Sequence, residues 1–181
     1  LMNSEEASCQ NLSFANNPRI LGLSPEDLSK RNSFRFTTSN STDSNWELLY
    51  NKTSDQLIPA IGDKASVMWA MKKKIGDTIE IIDSNGSPKS LIIVGLLENS
   101  ILQGSLAISE DHFVELFPTV GGYNTFLIDS NSKDGKSVSE DLTRGLELRG
   151  FDLINSNLRL KEYSNVQNTY ISIFSVLGGL G

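Results

Sequence analysis

The two side chains that most often carry chemistry occur once each in this sequence, as His112 and Cys9. A hydrolytic site needs a nucleophile, a base and a third group that orients the base. Glu110 and Asp111 lie too close to His112 along the chain to orient its ring, and no Gly-x-Ser-x-Gly is present. His112 therefore reads as a surface histidine on an amphipathic helix. A glycosidase would need two carboxylates flanking a bond. Glu110 and Asp111 are adjacent, and adjacent helical residues do not face each other. One histidine and one cysteine exclude the usual zinc sites. Asp83-Ser84-Asn85-Gly86 starts like a calcium loop but lacks the closing glutamate, so a hairpin turn explains it better. No catalytic, metal-binding or cofactor-binding residue is assigned, no cofactor is implied, and the chain is read as a non-enzyme.

What remains is binding chemistry. Lys72-Lys73-Lys74 reads as the solvated last turn of a helix, where cations oppose the dipole. Contact with a partner or with lipid headgroups is the competing reading. The net charge of -6 argues against nucleic acid, which needs a basic face. Gly178-Gly179-Leu180-Gly181 has no lysine after it and no strand before it, so it is no phosphate cradle. In an apolar helix such glycines are close-packing positions. Ile101, Leu102 and Gln103, between two strands, form the candidate surface for a partner or an apolar substrate. The competing reading puts Ile101 and Leu102 in the core. Cys9 can form no intrachain disulfide, and the short acidic stretch before it is no signal for lipidation.

Several elements must position these residues. Ser24-Pro25-Glu26-Asp27 has the cap, proline and acids of a helix start, with the helix reaching Lys30. Phe34–Thr38 alternates like a strand, Ser39–Ser44 is a polar loop, and Trp46, Leu48, Leu49 and Tyr50 add apolar weight. Leu57–Ile61 is a strand that Pro59 places at an edge. Lys64–Lys74 has helical periodicity, and Gly76 suits a left-handed stop. Thr78–Ile82 and Ser90–Leu97 pair as a hairpin through Asp83–Lys89. Ser105–Ile108 is a further strand, and Ser109 caps a helix that Pro118 ends. The last third reads strand (Asn124–Ile128), helix (capping box Ser137 to Glu140, ending at Gly150), strand (Phe151–Ile154) and a terminal helix from Leu158. The fold class is α+β.

Glu162 is the last charged residue, and the segment from Tyr163 to Gly181 grows steadily more apolar. It is shorter than the roughly 20 residues that span a bilayer. It reads as the start of a truncated transmembrane helix, or else as an amphipathic helix docked on its own domain. The acidic domain beside it leans toward the outer side of a membrane.

The order Ile58-Pro-Ala-Ile-Gly-Asp-Lys-Ala-Ser-Val-Met-Trp69, Lys74-Ile-Gly-Asp-Thr78 and Leu91-Ile-Ile-Val-Gly-Leu96 resembles the MacB-like/FtsX-like ABC transporter permeases. The stretches Ser100–Leu106, Phe113–Pro118, Gly122–Leu127 and Val166–Gly181 are similar to one branch of that family, and Ala7–Leu12 resembles a segment found early in such domains. The resemblance implies a periplasmic core domain with a β-rich subdomain and a membrane-proximal strand–helix–strand part. On this chain the parts would be 1–56 (N-terminal part), 57–121 (β-rich), 122–165 (membrane-proximal α/β) and 166–181 (start of the membrane helix). It implies an inner-membrane permease with this domain in the periplasm, working as a dimer with a cytoplasmic ATPase. The domain would couple ATP hydrolysis to export or to an outer partner, through the adjacent transmembrane helices. A docking module for such a partner, or for an apolar substrate, is the alternative.

Overall fold

The computed structural model describes residues 18–32, 34–37, 45–50, 57–130, 135–146, 150 and 152–165. The expected loop at 39–44, the apolar segment 166–181 and Cys9 lie outside them. The chain divides into two units, residues 1–125 and 126–181.

The first unit is built on a six-stranded mixed sheet. Strands β1 (Arg19–Leu23), β2 (Arg35–Phe36), β3 (Leu57–Asp63), β4 (Thr78–Ile82), β5 (Pro88–Glu98) and β6 (Ser105–Ser109) contribute to it. The order is β1-β6-β3-β5-β2, and β4 pairs with β5 beside β2. β1 runs parallel to β6, and β3 runs parallel to β5. β3 and β6 are antiparallel and meet at only two positions, Ile61 opposite Ala107 and Gly62 opposite Leu106. The expectation that Pro59 places its strand at an edge is overturned: β3 lies between β6 and β5, although at Pro59 itself only β5 lies alongside.

Both faces of the sheet are covered. Helix α1 (Pro25–Arg31) starts as its residues dictate: Ser24 Oγ accepts from the Asp27 N–H at 3.4 Å, Pro25 takes the first position, and Asn32 ends the helix at φ 49°. Its Leu28 joins Trp46, Leu49, Ile61, Leu97 and Ala107 in one core cluster. Trp46 and Leu49 come from a 3₁₀ turn, Trp46–Tyr50, and Phe34 and Phe36 meet the Trp46 ring edge-on at 5.4 and 5.5 Å. The opposite cluster holds Ala60, Val67, Leu91, Ile93, Leu96, Leu106, Ile108, Leu116 and Phe117. Helix α2 (Glu110–Leu116), capped by Ser109, closes that side.

A bulge on β5 lets one strand serve both clusters. The β3–β5 register skips a residue, pairing Ala60 with Ile93 and Ile61 with Gly95. Leu91 and Ile93 face the first-named strand's Ala60 cluster before the skip, and Leu96 faces it afterwards. The side-chain alternation has slipped by one residue. Gly95 sits at the slip, where a Cβ would lie 3.3 Å from Ile61, 3.4 Å from Phe36 and 3.5 Å from Leu48.

The helix over Lys64–Lys74 stops short: a π turn, Ser66–Ala70, gives way to Lys72 at φ 54°. The physical cause is competition from the sheet. Gly76 N–H donates to Ile93 O at 2.8 Å, Ile93 N–H donates to Asp77 O at 3.0 Å, and Asp77 Oδ2 accepts from Lys74 N–H at 3.0 Å. Residues 74–77 spend their hydrogen bonds on β5 and on their own turn. The lysines therefore follow the helical turn, and Gly76 (φ 92°) shapes the approach to β4.

In the second unit helix α3 (Gly135–Leu146) forms, but it starts two residues before Ser137, so the proposed capping box lies inside it. The strands flanking it do not form among the described residues: 124–128 and 152–154 carry no regular secondary structure. Two such short segments lack a third strand and a covered apolar face, which independent sheet stability requires. Phe126, Ile128 and Ile154 are accordingly exposed. A helix over 156–165 begins earlier than expected, because Asn155 Oδ1 accepts from the N–H groups of Asn157 and Leu158 at 2.9 and 3.3 Å.

Gly62 is one of two glycines in the sheet, with Gly22, that leave no room for a Cβ. A Cβ on Gly62 would lie 2.5 Å from Val67 Cγ2 and 2.9 Å from Leu106 Cδ2, both on fully buried side chains. Gly62→Ala is expected to destabilise the first unit by about 1–3 kcal/mol, measured by urea unfolding. Gly121→Ala, with nothing near its Cβ, should leave the midpoint unchanged.

Candidate functional site

β3 ends on Asp63, a wholly buried carboxylate. A buried charge is tolerable only when hydrogen bonds replace its lost hydration. Asp63 Oδ1 accepts from the Ala65 N–H at 2.9 Å and from the Ser66 N–H at 3.4 Å, and Oδ2 accepts from the Ser100 N–H at 3.0 Å. One oxygen thus starts the turn after β3, and the other holds the chain just after β5. Ser66 Oγ then accepts from the Gly104 N–H at 2.8 Å. Ser100 Oγ accepts from the Leu102 N–H at 2.9 Å, and Leu102 O accepts from the Ser105 N–H at 3.1 Å. Gly104, at φ 75°, supplies the left-handed residue that closes the turn.

This network carries the three candidate contact residues. Ile101, Leu102 and Gln103 share one turn between β5 and β6, and all three are half-buried. Leu102 packs against the Trp46 cluster. Ile101 and Gln103 flank it on a backbone pinned at Ser100 and at Gly104. The turn is a shaped projection with part of its apolar surface committed to the core. Sequence reasoning passed over Asp63 itself. Its signal was present as an acid ending an apolar strand run with a serine three residues on, an N-cap pattern.

The residues inspected for hydrolysis take structural roles. Ser109 Oγ lies 2.8 Å from His112 Nδ1 and also accepts from the His112 N–H at 3.4 Å. Ser109 is 2% exposed, so its oxygen caps α2 and is not presented to a substrate. Glu110 Oε1 accepts from Tyr123 Oη at 2.6 Å. That hydrogen bond, with the glutamate's charge, holds the Tyr123 phenol above its ordinary 10.0. Tyr50 is also raised, first by desolvation and then by Glu26, Asp111, Asp27 and Glu110. These four acids sit in the first turns of α1 and α2, where the helix dipoles favour negative charge. Among the described residues no group of three or more His, Cys, Asp or Glu side chains is placed to hold a metal ion.

No family model, no curated protein and no solved structure matches this chain. Among the described residues no helix is long and apolar enough to cross a membrane.

Asp63→Ala leaves the Ser100 N–H without its buried acceptor and is expected to cost about 1–3 kcal/mol or more. Hydrogen exchange should accelerate at Leu102, Gly104 and Ser105 ahead of the sheet amides; uniform acceleration would show that Asp63 does not hold the turn specifically. For Tyr123 the raised folded pKa means that its contribution is present below pH 10 and is lost as pH rises through the folded value. Glu110→Gln should shift the Tyr123 phenol to lower pH in an ultraviolet titration, and the Tyr50 phenol by less, since Glu110 is the smallest of its causes.

Proposed function

We propose that this chain is the extracytoplasmic domain of an ABC transporter permease of the MacB-like/FtsX-like kind, and that it transmits movement and catalyses no reaction. The observation that carries the reading is the order of elements in the first unit. The strand Leu57–Asp63, the hairpin Thr78–Glu98 with its Lys74–Asp77 lead-in, and the strand Ser105–Ser109 fall on the stretches that resemble that family. The mixed α+β sheet agrees with it. The sequence from Val166 to Gly181 supplies the approach to a membrane helix on this reading. Conformational work done by a cytoplasmic ATPase would reach the domain through that helix as a rigid-body shift. The physical requirement is an unbroken rod, and residues 158–181 contain no proline.

A second reading, docking of an outer partner on the Ile101–Gln103 turn, is favoured by the anchoring of that turn to Asp63 and Ser66. A turn held in one conformation loses little entropy on binding. The two readings are compatible, since a domain that is moved can move what it holds.

The test uses the membrane-embedded protein isolated together with its ATPase. A fluorescent label placed on a cysteine replacing Gln103 should respond to ATP. Two glycines inserted after Asn165 should abolish that response and leave ATP hydrolysis intact. A response that survives the insertion overturns transmission through the helix. A membrane preparation in which no ATPase accompanies the protein overturns the transporter reading.

A further inference from the structure

The π turn after β3 presents an apolar surface that the fold does not use. Ser66 and Val67 are buried and anchor it, and the next three residues, Met68, Trp69 and Ala70, are all exposed. Trp69 is 76% exposed, whereas the chain's other tryptophan, Trp46, is 2% exposed. Tryptophan is among the costliest side chains to leave in water. Lys72, Lys73 and Lys74 follow directly, with Lys72 and Lys74 exposed and Lys73 half-buried. They stand out in a chain of net charge -6.

We infer that the Met68–Ala70 turn and the Lys72–Lys74 run together form a contact site for an anionic lipid surface. Size and charge select this occupant. Met68 and Trp69 offer on the order of 200–300 Å², well short of the roughly 800 Å² per partner that a stable protein interface buries. A bilayer surface needs no matched counterpart of that size. An indole suits the headgroup layer, with its apolar body below and its N–H in the wet region. Lysines beside it meet anionic headgroups while their stems lie along the apolar boundary. The unusual turn fits this role: a helical widening that exposes three consecutive side chains on a buried anchor is the kind found at functional positions. The inference stands apart from the transporter reading, because its test uses the chain alone.

The experiment is quenching of tryptophan emission by vesicles of brominated phosphatidylcholine with or without an equal part of phosphatidylglycerol. Trp46 is shielded and the apolar segment 166–181 holds no tryptophan, so the signal reports on Trp69. Anionic vesicles should quench the emission and shift it to shorter wavelength, and zwitterionic vesicles should not. Salt at about 0.5 M should suppress the effect. Each lysine replaced by serine should weaken binding about fivefold, and the triple variant roughly a hundredfold. Trp69→Ala should remove the response with little change in the urea midpoint, since the side chain is largely exposed. Sedimentation with vesicles but no quenching would assign the binding to another segment and overturn the site. Equal quenching by zwitterionic vesicles would overturn the role of the lysines. A wavelength shift produced by polyglutamate without lipid would replace the lipid surface with an acidic protein.

Discussion

The carboxylate of Asp63 is the joint on which the first unit depends. Two segments far apart in sequence, the turn at residues 65–66 and the chain at Ser100, donate backbone N–H groups to opposite oxygens of one buried side chain. Removing water from that charge is costly, and these donors make its burial tolerable. The consequence is directional. β3 must end where Asp63 can reach both segments, so the start of the crossover and the exit from β5 are set together. The exposed ion pair above them, Lys64 with Glu98 at 3.6 Å, adds little by comparison.

A second joint holds the middle of β5. Asp77 binds the Lys74 N–H with its carboxylate and takes the Ile93 N–H on its carbonyl. This lies one residue from the bulge at Val94 and Gly95. β5 is long, and it must give alternate residues to the α2 side and then to the Trp46 side in the right phase. The bulge resets that phase, and Gly95 makes room for Ile61, Phe36 and Leu48 to close over it. Trp69, Lys72 and Lys74 are exposed as a by-product. Once residues 74–77 are tied to the sheet, the preceding turn cannot continue as a helix against the core.

Local signals were legible in the sequence where neighbouring residues decide the structure. Ser24 and Pro25 start α1, Ser109 starts α2, and Asp83 with Gly86 closes the hairpin through N–H groups of Asn85 and Ser87 at 2.9 and 2.8 Å. What was not legible depends on residues far along the chain. Nothing near Lys64–Lys74 announces that Ile93 will claim the backbone of Gly76 and Asp77. The two-residue junction of β3 with β6, which reconciles Pro59 with an inner strand, is likewise a property of the assembled sheet. Asn124–Ile128 and Asp152–Ile154 have strand-like composition, but composition supplies no partner edge. The candidate turn was located correctly as a connection, while its attachment to Asp63 was invisible because the two lie 37 residues apart.

The second unit bears on how movement would pass along this chain. The described part of the last helix covers 156–165, and an isolated helix no longer than that is marginal in water. Its side chains add only local support: Arg159 donates from Nε to Tyr163 Oη at 3.0 Å and pairs with Glu162 at 3.7 Å. Such pairs contribute a few tenths of a kcal/mol each. A stiff lever therefore cannot draw its stiffness from these ten residues alone; it needs helix propagated from a neighbouring segment. The proline-free sequence beyond Asn165 is suited to that, and in lipid a backbone has no alternative to satisfying its own hydrogen bonds. The transmission reading thus makes a physical demand of the apolar segment: it must be helical without interruption where it meets Asn165. The docking reading makes no such demand, because the Ile101–Gln103 turn is held by Asp63 whatever the second unit does.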